Sequence, residues 1–439
     1  MMQLKPLFLA LTFALAPAAH ATNLSDVFRD AQAYDAQYAS ARAALQAGQE
    51  KAAQGRAGLL PSVNLGGNLR YNSVESSLPG GDADYDSNGL SLTAAQPLFR
   101  RQNQVQYEQA KEQVKIAEVQ FKAAEQGLIL RVARAYFDVL QSQDNIAFID
   151  AQKASITEQL AAAKRNFEVG TATITDTHEA QARFDLAVAQ EISERNSLDI
   201  RARALEKLIG KPAGSLDILV ENSLLKPDPG SIDEWAARAA DSNLQAEIQR
   251  IAQTIADQEV ERNRAGHLPT LDAVAGYSIS NSQNFGTTQV DNRTASIGLE
   301  LNFPIYQGGL TSSRVREAVA NQEKARQDLE AATRDAGMQA RQAWLNVNSG
   351  VARVRALEQA LSSTRAQLDS TKLGLQVGVR TNLDVLNAEQ QVLSARRDLA
   401  GARYDYLLSG LALKAAVGGL GTADLAAIDR HLRPPATTR

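Results

Sequence analysis

The chain contains no cysteine among its 439 residues. Disulfide bonds, thiolate metal sites, a cysteine nucleophile and an N-terminal lipid anchor on cysteine are therefore excluded. A basic excess is also missing, because 46 Lys and Arg residues face 50 Asp and Glu residues and the formal net charge is −4. Such mild acidity argues against a nucleic acid as partner. Aromatic residues make up only 5% of the chain, which suits long helices packed side by side better than one thick globular core.

Residues for catalysis or metal chemistry are scarce and scattered. The histidines beyond the first 21 residues are His178, His267 and His431, and none has a serine, cysteine or carboxylate around it in a catalytic arrangement. Met338 is the single methionine in the same part of the chain, so a conduit for copper or silver built on thioether ligands is not expected. We therefore expect no enzyme activity, no cofactor and no bound metal.

The first 21 residues predict a secretory signal peptide. Lys5 supplies the positive start, residues 7–16 form a short apolar run, and Ala19-His20-Ala21 has the small-x-small form that signal peptidase accepts. The apolar run is too short to span a bilayer, and no later segment has the composition of a spanning helix. The sequence thus predicts an exported protein that starts at Thr22, with a net charge of −5 once Lys5 is removed from the total of −4.

The rest of the chain repeats itself with an offset of 208 residues. The segments that hold this offset are 54–61 with 262–269, 135–139 with 343–347, 167–170 with 375–378, and 208–210 with 416–418. A period this long indicates one large unit, duplicated and fused, rather than a short solenoid repeat. We predict a first structural repeat at 22–210, a linker at 211–230, a second repeat at 231–420 and a disordered tail at 421–439.

Each repeat predicts one very long helix flanked by two shorter ones. No proline interrupts the chain from about Arg101 to Phe167, where apolar residues step by three and four in a coiled-coil pattern with one stutter. A helix of about 65–70 residues would be about 100 Å long. The shorter helices are expected at about 23–56, 173–208, 231–264 and 381–417. Each is about half as long as the rod, so one rod would lie beside two short helices.

Between the first two helices of each repeat, the pattern switches to a period of two residues. In Ser62–Val74, for example, apolar Val63 and Leu65 alternate with polar residues. The segments 62–97 and 270–304 therefore each predict a β-hairpin with one apolar and one polar face, joined by a polar loop. Glycines and prolines mark the changes of period. Gly58 and Gly266 are expected as helix C-caps, whereas Pro97 and Pro304 are expected to end strands and open the long helices.

The hairpins allow two interpretations. One is a sheet whose apolar face packs on a helix, and the other is a transmembrane β-barrel, apolar toward lipid and polar toward a lumen. Strands of about 10–12 residues, which are long enough to cross a bilayer, favour the barrel, as do export and aromatic residues near the strand ends. Four strands do not close a barrel. Either a dimer of eight strands or a trimer of twelve is then required, and we favour the trimer because a small barrel filled with side chains is a poor conduit.

The chain resembles the TolC family of outer-membrane channel proteins over essentially all of its length after residue 21. The segments that carry the resemblance are the Gly-Leu-Leu-Pro junction at 58–61, Phe167-Glu168-Val169-Gly170 followed by Ile174-Thr175-Asp176, the tip at 377–386, and Ala402-Arg403-Tyr404-Asp405-Tyr406-Leu407. The resemblance implies a mainly α fold with a β membrane part. A homotrimer would build a twelve-stranded β-barrel, four strands per protomer, that a long α-helical barrel of coiled-coil helices continues.

The resemblance also implies a function and partners. The barrel would lie among the lipids of the outer membrane of a Gram-negative bacterium, with the helical part in the periplasm. The protein would be the exit duct of a tripartite efflux pump or a type I secretion system. A periplasmic adaptor (membrane fusion) protein and an inner-membrane ABC or proton-driven transporter would be its partners. The competing interpretation from the residues alone is an exported coiled-coil scaffold or adhesin, which leaves the two amphipathic hairpins unexplained.

Both predicted helix tips carry a Val-Gly turn followed by Thr-x-x-Asp. The turns contain Gly170 and Thr173 in one repeat, and Gly378 and Thr381 in the other. One interpretation is a capping box, in which the threonine caps a helix and the aspartate three residues later reaches back to it. The other is a gate, because three copies of one aspartate around an axis repel one another and attract cations. Both interpretations stay open for the first tip, and the gate is favoured for the second.

The resemblance assigns a periplasmic constriction to Thr175, Asp176, Arg380 and Asp384. Arg380 lies at the turn and would pair with an adjacent tip. Asn387 belongs to the same set, but it stands where the best-known member of the family has a second acidic residue. Leu375 stands where that member has a tyrosine tied to the tip. We therefore expect a thinner carboxylate ring and a looser closure.

Overall fold

The computed structural model of the protein describes residues 22–75, 83–171, 173–220, 230–284 and 288–435. The predicted signal peptide lies outside these ranges, as do residues 76–82 and 285–287 of the hairpin loops, residues 221–229 of the linker and the last four residues of the tail. No helix within the described ranges combines the length and the apolarity needed to cross a membrane.

The two repeats follow the same order of elements. The first repeat and the start of the linker contain α1 (Leu24–Tyr34), α2 (Ala36–Ala57), β1 (Ser62–Val74), β2 (Ala83–Phe99), α3 (Arg101–Glu168), α4 (Ile174–Ile209) and β3 (Ile218–Leu219). The second repeat and the tail contain α5 (Ile232–Ser242), α6 (Leu244–Arg264), β4 (Thr270–Asn284), β5 (Thr288–Asn302), α7 (Leu310–Gln376), α8 (Asn382–Ala416), α9 (Thr422–Asp429) and β6 (Leu432–Arg433). Equivalent helices such as α1 and α5 start 208 residues apart, so the fold contains the predicted duplication.

The leading helix of each repeat is broken in two, which the sequence analysis did not predict. Asp35 adopts an extended conformation (φ −60°, ψ 119°), and its carboxylate accepts a hydrogen bond from the backbone N–H of Tyr38 at 2.7 Å. Asn243 does the same in the second repeat (φ −63°, ψ 131°), accepting from the N–H groups of Gln245 and Ala246. Each side chain accepts hydrogen bonds from backbone N–H groups that have no helical carbonyl as partner at the start of the next helix. One residue thus ends one helix and caps the next.

The predicted rods are confirmed. α3 has 68 residues and α7 has 67, which corresponds to about 100 Å each. α2 and α4 pack along α3, and α6 and α8 pack along α7, so each rod lies beside two shorter helices. Two boundaries differ from expectation. α7 begins at Leu310 rather than at Pro304, after Gly308 and Gly309 with positive φ angles, and Gly266 lies in a 3-10 turn at Ala265–His267 instead of capping α6.

The four long strands form one antiparallel sheet in the order β1-β2-β4-β5. The two hairpins join through β2 and β4, where Leu92 lies opposite Tyr277. The strands are longer than predicted, at 13 to 17 residues. β2 passes Pro97 and reaches Phe99 through a register shift, and β5 ends at Asn302.

The apolar face of this sheet is uncovered within the described chain. Leu69 and Ile297 are 85% and 90% exposed, and Leu65 and Leu299 are also exposed. A sheet packed on a helix would bury these side chains, so that interpretation of the hairpins is wrong. The outer edges of β1 and β5 have no strand partner in the part of the chain that the structure describes. An open apolar sheet with two free edges calls for lipid on its face and further strands at its edges.

The tail is ordered where it was expected to be disordered. α9 packs on α1 and buries Leu425 and Ile428, and β6 pairs antiparallel with β3. The carboxylate of Asp429 accepts hydrogen bonds from the backbone N–H groups of Leu24 at 2.9 Å and Ser25 at 3.2 Å. The prediction for residues 421–439 is therefore wrong over 422–433, because apolar burial and this cap hold the segment against the start of the chain.

The core lies in the middle of the helical part, where α1, α3, α8 and α9 meet. Tyr136 and Phe137 of α3 are fully buried there. The hydroxyl of Tyr136 donates to the backbone carbonyl of Asp217 at 2.7 Å. Phe137 stacks on Tyr404 of α8, with ring centroids 5.5 Å apart. This core fixes the rod of the first repeat, α3, against α8 of the second repeat.

Candidate gate at the paired helix tips

The tip of the first repeat is the turn between α3 and α4. Gly170 holds φ at 79° and reverses the chain after α3. Thr173 then caps α4, because its hydroxyl accepts a hydrogen bond from the N–H of Asp176 at 3.3 Å. In return, the Asp176 carboxylate accepts from the backbone N–H and the hydroxyl of Thr173, both at 2.9 Å. This is a complete capping box, so the capping interpretation of Asp176 is confirmed.

The tip of the second repeat, between α7 and α8, has the same geometry. Gly378 holds φ at 78°. The Thr381 hydroxyl accepts from the N–H of Asp384 at 3.2 Å, and the Asp384 carboxylate accepts from the Thr381 N–H at 2.8 Å and hydroxyl at 2.9 Å. Capping therefore accounts for Asp384 as well. Each aspartate still has its second carboxylate oxygen outside the box.

Both tip aspartates carry a negative charge at neutral pH. The hydrogen bond from the Thr173 backbone, and then the one from its hydroxyl, hold the pKa of Asp176 below its ordinary value. The same two bonds from Thr381 lower the pKa of Asp384, and the positive charge of Arg380 lowers it further. Two charged carboxylates per protomer are therefore present at the tips.

The remaining predicted gate residues differ in their surroundings. Arg380 is exposed and packs its side chain against Gly374, where an added Cβ would meet Arg380 Cγ at 2.7 Å. Among the described residues it has no carboxylate within ion-pair distance, although Asp384 is close enough to feel its charge. Thr175 is exposed on the first turn of α4. Arg380 thus presents a cation that forms no ion pair with a carboxylate of the described residues.

Asn387 points to the other repeat. Its Oδ1 accepts a hydrogen bond from Nη1 of Arg183 on α4 at 3.1 Å, and Nη2 of Arg183 pairs with Glu179 at 3.1 Å. Asn387 is therefore a contact within the protomer. Farther from the tip, Glu389 of α8 accepts from the hydroxyl of Ser155 on α3 and pairs with Lys372 of α7 at 3.0 Å.

These links between the repeats were missed in the sequence analysis. Arg183, Ser155, Lys372 and Glu389 look like ordinary surface residues of amphipathic helices, and no spacing in the sequence pairs residues more than 200 positions apart. The structure also brings together Asp176, Arg183, Leu375 and Thr381 around a cavity of about 330 Å³ just behind the tips. Asp384 and Arg380 do not line it. Leu375 closes part of this space with an apolar side chain instead of a hydrogen-bonding one.

The contacts at the tips are electrostatic and polar. Across the described ranges, no group of three or more His, Cys, Asp or Glu side chains is placed to hold a metal ion. The tips combine capped carboxylates, an arginine that pairs with no described carboxylate, and weak polar links between two helical hairpins. Exposed pairs of this kind contribute about 0.2–1 kcal/mol each, so several of them together would form a closure that opens reversibly.

Comparisons with known proteins agree with this architecture. A family model described as "Outer membrane efflux protein" matches residues 27–211 and 235–419, one match per repeat. The chain is 35% identical over 438 residues to outer membrane protein TolC of Vibrio cholerae serotype O1, covering 99% of both chains. It is 37% identical over 430 residues to the alkaline protease secretion protein AprF of Pseudomonas aeruginosa, covering 95% of this chain and 89% of AprF. The fold matches a crystal structure of CusC with a TM-score of 0.76 at 17% identity, over 91% of this chain and 93% of the other.

Proposed function

The chain belongs to the outer membrane efflux protein family, and from that membership we propose that three copies form the gated exit duct of a tripartite export system. The protein is a channel of the outer membrane that serves efflux and type I secretion, with its helical part in the periplasm. The proposal concerns how copies of this chain build the duct, which residues close it and what it docks with.

The observation that carries the proposal is the open sheet. Its four strands expose an apolar face, and the edges of β1 and β5 lack strand partners in the described chain. A second copy would place its β5 beside β1 of the first, and continued addition closes a ring. Three copies would give a barrel of twelve strands, which is wide enough to enclose an aqueous lumen. Two copies would give a barrel of eight strands, whose interior side chains fill.

The helices continue this wall on one side of the sheet. α2, α3 and α6 lead away from the strands, and α3 and α7 extend for about 100 Å. Three protomers would supply a tunnel of coiled-coil helices long enough to cross much of the periplasm. At its far end, the tunnel would meet a periplasmic adaptor protein and an inner-membrane ABC or proton-driven transporter, as expected for relatives such as TolC and AprF.

The gate lies at the tips of this tunnel. Three copies of Asp384 around one axis would form a ring of negative charge. Arg380 of each protomer, which has no ion pair among the described residues, would hold the tip of the next. Asp176 and Thr175 would lie on the outer hairpin of the same constriction. Asn387 takes part indirectly, because it ties α8 to Arg183 of α4.

Single-channel conductance in a planar bilayer tests the proposal. Wild-type protein is expected to give small, long-lived steps, and Asp384→Ala or Arg380→Ser should raise their conductance. Thr381→Ala is the matched control, because it removes the same helix cap and keeps the carboxylate. If conductance were unchanged in both gate variants, or rose equally in Thr381→Ala, Asp384 would have only a capping role. Such a result would not contradict the pore itself.

Oligomeric state tests the barrel separately. Purified protein should run as a heat-resistant trimer on gels and require detergent to stay in solution. A monomer that is soluble without detergent and forms no pores would favour the exported scaffold or adhesin instead.

A further inference from the structure

A second cavity lies far from the tips, beside the core of the helical part. It has a volume of about 410 Å³, opens to the surface, and is lined by α3, α7, α8 and the two-stranded sheet of β3 and β6. The first repeat, the second repeat, the linker and the tail each contribute to its wall. The volume falls in the range of pockets that hold small organic ligands.

The wall of this cavity has a strong excess of positive charge. Four arginines line it, namely Arg365 of α7, Arg396 and Arg403 of α8, and Arg433 of β6, against a single carboxylate, Asp144. Arg403 is paired with Glu358 at 2.9 Å. In the described part of the chain, no carboxylate lies within 4.0 Å of the other three guanidinium groups. Like charges that share one cavity repel each other unless an anion lies between them.

Asp144 is one carboxylate against four arginines, so it offsets only part of this charge. Its Oδ2 accepts a hydrogen bond from the hydroxyl of Tyr404 at 2.7 Å. Burial raises the pKa of Asp144, and the Tyr404 bond opposes that shift only in part. The single acidic group of the wall is thus hydrogen-bonded to a neutral partner, while Arg365, Arg396 and Arg433 form no ion pair with any carboxylate of the described residues.

The rest of the wall is apolar. Phe148 of α3, Leu361 of α7 and Leu399 of α8 line the same space. Leu361 and Leu399 are already buried, whereas Phe148, Ile218 and Leu219 in the same wall are only half-buried. A ligand with an apolar body would cover these three side chains, and a bare inorganic ion would not. The wall therefore has one part for a charged group and one part for a hydrophobic group.

We propose that this cavity binds a small anionic amphiphile, a molecule with a phosphate, carboxylate or sulfonate head on a compact apolar body. Guanidinium groups donate paired hydrogen bonds in the geometry that oxyanions accept, and the half-buried Phe148 and Ile218 would pack on the body. The ligand would bridge α3 of the first repeat to α7 and α8 of the second. This inference does not depend on the proposed export function, since it concerns binding to the folded protein.

Isothermal titration of the full-length protein in a non-ionic detergent tests the proposal, with phenyl phosphate as the probe. Inorganic phosphate provides the head without the body, and benzyl alcohol provides a body without the charge. Saturable binding of phenyl phosphate, tighter than either comparison compound, is expected. If inorganic phosphate bound as tightly as phenyl phosphate, the amphiphile assignment would be overturned. If phenyl phosphate did not bind at millimolar concentration, the binding site itself would be overturned.

Variants locate the binding. Arg396→Gln and Arg433→Gln change exposed side chains and should each weaken phenyl phosphate about tenfold or more, as expected for the loss of a charge-assisted hydrogen bond. Arg397→Gln and Arg355→Gln are matched controls, because both arginines are exposed on α8 and α7 and do not line this cavity. Equal weakening in the controls would show that binding depends on general surface charge and would contradict the proposal. Circular dichroism of each variant verifies that the helical fold is retained.

Discussion

Arg183 of α4 donates a hydrogen bond to Oδ1 of Asn387 on α8 across 3.1 Å, joining residues that are 204 positions apart in the chain. The contact ties the tip of one repeat to the tip of the other within a single protomer. Together with the Ser155–Glu389–Lys372 group it forms a polar seam behind the carboxylates. In the proposed gate, the strength of this seam would set how easily α7 and α8 move relative to α3 and α4.

The first prediction concerns that seam. Asn387→Ala removes the acceptor of Arg183 and should raise the frequency of channel opening in planar bilayers. Asn387→Asp converts the contact into an ion pair, worth about 0.2–1 kcal/mol more at an exposed site, and should lower that frequency. Gln391→Ala, an exposed position one turn farther along α8, is the matched control. Opposite effects of the two Asn387 substitutions are required, and equal effects would contradict a role for the hydrogen bond.

The second prediction concerns pH. The folded state lowers the pKa of Asp384 and Asp176, so these groups stabilise the capped tips at pH values above about 4, the ordinary range of an aspartate. The contribution is lost as the pH falls through the lowered pKa values. Conductance should therefore stay constant from pH 8 to 5 and change only in more acidic buffer. Asp384→Asn should remove most of the acid response, and a response centred near pH 6 to 7 would assign it to other groups.

The third prediction concerns Asp144. Burial raises its pKa in the folded protein, so folding disfavours its charged form. The resulting loss of stability is absent at pH values below the pKa that Asp144 has in the unfolded chain. It grows as the pH rises above that value and is complete once the pH has passed the raised pKa of the folded protein. Asp144→Asn keeps an acceptor for the Tyr404 hydroxyl and should raise the midpoint of thermal unfolding at pH 7, with little effect near pH 3. Asp150→Asn, exposed on the same helix, should not reproduce this pH-dependent gain.

The fourth prediction compares two glycines with left-handed backbones. Gly418 has φ 68°, and a Cβ there would lie 2.2 Å from the carbonyl oxygen of Ser242. Gly378 has φ 78° and nothing within 4 Å of its added Cβ. Substitution by alanine should cost about 1–2 kcal/mol at Gly378 from the backbone conformation alone, and clearly more at Gly418, where backbone atoms must also shift. Unfolding of both variants, followed by circular dichroism in denaturant, gives the difference, and equal losses would contradict the predicted clash.

Periodicity predicted much of the fold because it is a local property. The rods and the four strands follow from patterns within short windows, and the offset of 208 residues follows from comparing such windows with one another. The breaks at Asp35 and Asn243 do not, because the chain is helical on both sides and only the cap residue departs from the helix. Their signal was a capping residue type at equivalent positions of both repeats. α9 was missed for a different reason, since its order depends on contacts with α1 some 400 positions away.

The helix tips also combine local features, which the sequence predicts, with contacts between distant segments, which it does not predict. The Thr-x-x-Asp spacing predicted both capping boxes, because the box closes within four residues. The partner of Asn387 could not be predicted, since it depends on how α4 and α8 lie across the protomer. Asp384 and Arg380 remain gate residues by proposal, because the contacts that would define them lie between copies.

The free edges of β1 and β5 have a consequence for biogenesis. If copies assemble as proposed, a newly exported copy would not finish folding as a lone molecule, because the outer edges of two strands of 13 and 15 residues would lack partners, beside an apolar face in water. The last step of folding would then be the same event as assembly and insertion. Measured stability should depend on protein concentration, and a proline within β5 should act mainly on the yield of assembled protein, leaving the helices of each copy intact. The cell would then have to keep each copy apart from wrong partners until its neighbours arrive.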